Sequence, residues 1–84
     1  MAKITKAEMP ALAEQIVKCL GGKENVARIN HCATRLRVNP VDMEKVDKDG
    51  LKRLHGVIGI DSSKAELQII VGAIIDDLYL EVEK

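Results

Sequence analysis

The hydrophobic periodicity of this 84-residue chain switches from helical to alternating and back, and each switch limits what the adjoining segment can become. Met9, Leu12, Ala13, Ile16, Val17 and Leu20 recur at helical spacing, and Gly21-Gly22 follows as a stop. A first helix is expected, firm from Met9, with Pro10 suited to its first turn and Thr5 with Glu8 resembling a capping box. From Val26 to Asn39 the period becomes two, with Ile29 opposed to Arg28 and Asn30, and Leu36 and Val38 opposed to Arg35 and Arg37. Two antiparallel strands turning near Cys32, Ala33 and Thr34 are expected, the second ended by Pro40. Asp42 and Asp47 are good caps, and Asp47 to Leu54 reads as a short helix weakened by Gly50. Strands at Gly56 to Ile60 and Glu66 to Val71 flank the polar turn Asp61-Ser62-Ser63-Lys64, giving a second hairpin. A terminal helix follows over Ala73 to Val82, with Ile74, Ile75, Leu78 and Val82 on one stripe.

The order α-β-β-α-β-β-α predicts an α+β fold, a four-stranded antiparallel sheet from two hairpins with three helices packed on one face. So short a chain supports one core, so residues 1–84 are expected to be a single domain. Ile29, Leu36 and Val38 then mark the covered side. Arg28, Asn30, Cys32, Arg35 and Arg37 fall on the open side by alternation.

Composition removes several function classes. Thirteen Lys and Arg balance thirteen Asp and Glu, which lacks the basic excess that nucleic-acid backbones require. Tyr79 is the sole aromatic residue, so base-stacking platforms are missing as well. The longest uncharged run, Leu67 to Ile75, is about half of what a bilayer-spanning helix needs. No membrane insertion is expected, and with no signal peptide evident at the start, a cytoplasmic location is. Cys19 and Cys32 have no metal-ligand spacing, so free thiols and no metal are expected.

Cys32 stands out chemically. It sits at a hairpin tip with Arg28, Arg35 and Arg37 on its side and no carboxylate between His31 and Asn39. Cations lower a thiol pKa by stabilising the thiolate, which makes a nucleophile plausible where an inert filler is the common role of cysteine. Cys19, near the apolar stripe of the first helix, fits the filler role. Arg35 and Arg37, two apart on a strand, project from one face and could share a multiply charged anion; a solvated strand face is the plainer alternative. Thr34 could add its hydroxyl or backbone N–H. His31 should face the core side, half-buried at a strand end, and His55 belongs to a loop. A cysteine phosphatase loop would need arginine six residues after the nucleophile, where Val38 stands, and a redox pair would need a nearby second thiol.

The string His31-Cys32-Ala33-Thr34-Arg35-Leu36-Arg37 resembles the phosphorylation-site motif of enzyme IIB domains in the bacterial phosphoenolpyruvate-dependent sugar phosphotransferase system, glucose/sucrose/β-glucoside superfamily. The resemblance runs on through Gly21 to Val26, Val46-Asp47, Leu51-Lys52, Gly56 to Gly59, Gln68 to Gly72 and Tyr79. It departs at Asp61 to Ala65, where many relatives carry glycines. By this resemblance Cys32 accepts a phosphoryl group from a phosphohistidine of enzyme IIA and passes it to a sugar held by the membrane-embedded enzyme IIC. Arg35 and Arg37 would hold the phosphoryl oxygens, with Thr34 and Ala33 as turn ligands for phosphate and no cofactor. Enzyme IIA and enzyme IIC are the implied partners, at the inner face of the cell membrane. The His-Cys-Ala-Thr form of the motif leans toward the sucrose, trehalose and β-glucoside branch. A noncatalytic regulatory or binding module of the same fold is the alternative, and a Cys19–Cys32 redox pair a third.

Overall fold

A computed structural model describes residues 7–63 and 65–83. The Thr5 capping box lies outside the described residues. Helix α1 (Met9–Cys19) carries Pro10 in its first turn, where the missing N–H costs nothing. Strands β1 (Val26–His31) and β2 (Arg35–Pro40) form the first hairpin, and α2 (Lys48–Arg53) follows, capped by the Asp47 carboxylate on the Gly50 N–H. The second hairpin pairs β3 (Gly59–Ser62) with β4 (Leu67–Ile70), and α3 (Ile75–Glu83) closes the chain after a 3₁₀ turn at Gly72–Ile74. The four strands lie in the order β1-β2-β4-β3, every neighbour antiparallel, so β2 and β4 occupy the centre. Among the described residues no helix is long and apolar enough to cross a membrane.

The helices cover one face. Met9, Leu12, Ala13 and Ile16 of α1 and Ile75, Leu78 and Val82 of α3 join Leu36, Val38, Leu67 and Ile69 of the central strands in one core. Ile29, expected on this side, is half-buried against it. The register pairs Ile29 with Val38 and His31 with Leu36, which sends Asn30, Arg35, Arg37 and Gln68 to the uncovered side.

The second hairpin sits later than the periodicity suggests. Gly56 takes φ +104°, a left-handed conformation that carries the chain out of α2. The Val57 N–H then returns to Leu54 O at 3.1 Å, so Val57 fills the core outside any strand. Pairing begins at Gly59, and Asp61 and Ser62 belong to β3 instead of the turn; Ser63 N–H closes that turn on Glu66 O at 2.9 Å. Strand β4 is shorter than Glu66 to Val71, although the Val71 N–H still makes the next rung of the β2–β4 register by donating to Thr34 O, an acceptor it shares with the Gly72 N–H. The last helix starts at Ile75, not Ala73, because Gly72–Ile74 is wound as 3₁₀.

Candidate functional site at the first hairpin tip

The tip is built by four residues. Cys32 N–H donates to Arg35 O at 3.0 Å, closing the β1–β2 ladder and leaving Ala33 and Thr34 exposed at the turn. Thr34 O accepts from both Val71 N–H at 3.0 Å and Gly72 N–H at 2.9 Å, tying the turn to the β4–α3 junction. His31 Nδ1 lies 3.2 Å from Cys32 O, a hydrogen bond in the tautomer that carries the proton on Nδ1. The imidazole rests on Tyr79 of α3, ring centroids 4.3 Å apart, and Tyr79 Oη donates to Ile29 O at 3.4 Å.

With the turn carbonyls engaged this way, its amides face the sulfur. The Thr34 N–H is the largest of the effects that hold the Cys32 thiol below its ordinary pKa; desolvation opposes it and ranks next, and the Arg35 N–H and the Arg37 guanidinium, through a hydrogen bond and its charge, add to the lowering. These stabilise the thiolate as a phosphate-binding turn stabilises an anion. Cys19 behaves oppositely: burial first, and the Asp47 carboxylate second, push its thiol up. Both cysteines are free thiols, and only Cys32 has the environment of a reactive one.

The two arginines of β2 separate. Arg37 is exposed and reaches the sulfur. Arg35 reaches across the sheet, its Nη1 donating to Gln68 Oε1 at 2.7 Å and lying 3.9 Å from Asp61 Oδ2. Its backbone N–H, not its guanidinium, is what Arg35 presents to Cys32. Arg28 pairs with Asn39 at the far end of the same face, and His55 is exposed in the loop after α2. Asp61 and Gln68 escape sequence reading because they come from the second hairpin. Only the β2–β4 and β3–β4 registers bring them alongside β2. Among the described residues no three His, Cys, Asp or Glu gather as a metal-binding group.

The arrangement suits a thiolate that attacks an electrophile whose anionic oxygens then need donors. Its turn N–H groups and Arg37 fan out from one exposed tip.

A family model described as "phosphotransferase system, EIIB" matches residues 14–47. The chain is 40% identical over 89% of its length to the sucrose-specific EIIBC component of the phosphotransferase system of Vibrio alginolyticus, covering 16% of that protein. It is 43% identical over 81% of its length to the β-glucoside-specific EIIBCA component of Bacillus subtilis, covering 11% of that one. The chain thus spans a small part of the full-length relatives. Among solved structures, one domain of the phosphotransferase system IIabc component from Clostridium difficile superposes with a TM-score of 0.87 at 32% identity, over 95% of this chain and 84% of that one.

Proposed function

Since the chain belongs to the EIIB family of the sugar phosphotransferase system, we propose that it is a phosphoryl carrier with Cys32 as the covalent acceptor. The donor is a phosphohistidine on an EIIA partner. The Cys32 thiolate attacks phosphorus, the S–P bond forms as the P–N bond breaks, and the departing imidazole nitrogen keeps the electron pair and takes a proton. In the second half a sugar hydroxyl held by an EIIC partner attacks the same phosphorus. The O–P bond forms, the S–P bond breaks, the thiolate leaves with its electron pair, and the hydroxyl proton passes to a base or to solvent. A lowered thiol pKa serves both halves, since it supplies thiolate for attack and makes sulfur a better leaving group.

The observation that carries this reading is the convergence of the Thr34 and Arg35 N–H groups and the Arg37 guanidinium on one partly exposed sulfur. Those donors stabilise the three equatorial oxygens of the transferring group, where charge accumulates. Thr34 and Ala33 bring the turn within reach of those oxygens. Relatives named EIIBC and EIIBCA support EIIC and EIIA as the partners, and a working position at the inner face of the membrane follows from docking to EIIC.

Incubation with the general phosphotransferase proteins, an EIIA and labelled phosphoenolpyruvate tests it. The label should appear on Cys32, persist in Cys19→Ser and vanish in Cys32→Ser. Folded wild-type chain that stays unlabelled would leave a noncatalytic module as the better description, and a labelled Cys32→Ser variant would move the acceptor to another residue.

A further inference from the structure

Arg35 and Arg37 project from the same face of β2, yet only Arg37 brings its guanidinium to the sulfur. Arg35 is held by two neighbours from the second hairpin: Gln68 Oε1 accepts from its Nη1 at 2.7 Å and Asp61 Oδ2 lies 3.9 Å away. Gln68 is oriented in turn, its Nε2 donating to Glu66 Oε1 at 2.8 Å. The register makes this possible, because Gln68 stands opposite both Arg37 and Asp61. We propose that Asp61 is a positioning residue: with Gln68 it holds the Arg35 guanidinium off the Cys32 sulfur in the resting domain and releases it when the sulfur carries a doubly charged group.

The asymmetry of the two contacts motivates the release. The ion pair is long and its partners are 38% and 70% exposed, so solvent and salt weaken it. A single thiolate charge, already served by two amides and Arg37, does not outcompete Asp61 and Gln68 together for Arg35. A phosphorylated sulfur would present oxygens that a guanidinium can grip with two parallel bonds, a stronger attraction than a single distant carboxylate exerts. The consequence is a site whose affinity for the phosphoryl group is restrained by Asp61, which keeps the group transferable. This release step rests on the phosphoryl-carrier reading; the resting hold on Arg35 does not.

The resting hold can be measured without any phosphoryl donor, through the pH dependence of iodoacetamide alkylation at Cys32 in the full chain carrying Cys19→Ser. The charged or titratable side chains to be considered are Arg28 and His31 from β1, Arg35 and Arg37 from β2, Asp61 from β3 and Glu66 beside β4. D61N should free Arg35 to approach the sulfur and raise the thiolate fraction, at a pH below the midpoint, by about two- to fivefold, the range of an exposed ion pair. D61E should keep the wild-type profile. In the R35Q background, D61N should change nothing. An unmoved D61N profile, a D61E profile that follows D61N, or an equal D61N effect in the R35Q background would overturn the proposal. None of these results bears on whether Cys32 accepts a phosphoryl group, which the labelling experiment decides separately.

Discussion

Replacing Asn25 by alanine should cost more stability than any surface change in the domain while leaving the cysteine chemistry intact. Asn25 is 3% exposed, a buried polar side chain at the foot of the first hairpin. Its Nδ2 donates to Leu20 O at 2.7 Å and to Asp42 O at 3.0 Å, and its Oδ1 accepts the Asp42 N–H at 2.9 Å. It thereby joins the end of α1 to the chain leaving β2, and Gly21, at φ +98°, is what lets the chain pass: a Cβ there would lie 2.9 Å from Asn25 Nδ2. Three such bonds at about 1 kcal/mol each give a loss of about 3 kcal/mol. A domain of this length is stable by about 4 to 13 kcal/mol in all, so the loss is a large share. Urea denaturation followed by far-UV circular dichroism would read it, with a melting temperature lower by about 12 to 24 °C. Below that transition the alkylation profile of Cys32 should be unchanged, because the tip is held independently through Thr34 O. A loss under about 1 kcal/mol would refute the clamp, and a shifted thiol profile would refute the independence of tip and base.

Two further outcomes follow from the site. Arg37→Gln should move the Cys32 alkylation midpoint to higher pH while changing urea stability by less than about 0.5 kcal/mol, since Arg37 is exposed and its interaction is with the thiolate; unfolding of the variant would contradict this. Stability should also respond to pH with a definite sign. The native Cys32 pKa is depressed, so its contribution is fully present above the unfolded thiol value near 8.5 and is lost as pH falls through the native value. Cys19 and Tyr79, both pushed up chiefly by burial, act oppositely as pH rises through their unfolded values. The difference in urea midpoint between wild type and Cys32→Ser, measured across neutral to mildly alkaline pH, cancels those opposing contributions and should therefore grow with pH.

The parts of the fold legible in the sequence were those where periodicity and punctuation agree. Helix α1 has both an apolar stripe and a glycine pair, and the β1–β2 hairpin has alternation broken only at its turn. Strand β3 was misplaced because Val57 and Ile58 look like strand residues, while the left-handed Gly56 assigns Val57 to the core and leaves Ile58 56% exposed beside the sheet. Within the site, Cys32 and Arg37 could be associated from spacing alone, since both lie on the same hairpin face. The Arg35 contacts could not. Asp61 is 26 positions further along the chain, and its approach depends on two strand registers that no local pattern encodes. The same holds for Thr34 O, whose donors are amides of the β4–α3 junction and carry no side-chain signature.

A relay thiol has to satisfy two opposed demands: it must be open to large partners and yet fixed well enough to transfer a group in line. Burial would fix it but would raise its pKa and bar the partner. This domain orders the turn from behind. Thr34 O is drawn to two amides of the β4–α3 junction, Cys32 O to the imidazole that packs tilted against Tyr79, and Arg35 O to the Cys32 N–H. Each of these carbonyls is oriented by a partner within the fold, which leaves the Thr34 and Arg35 amides facing the sulfur. Rigidity thus comes from the covered side of the sheet and reactivity from the open side. That division explains how a thiol can be activated by backbone donors that outweigh its partial desolvation, and why the aromatic ring of Tyr79, packed against His31 and bonded to Ile29 O, belongs to the site's support.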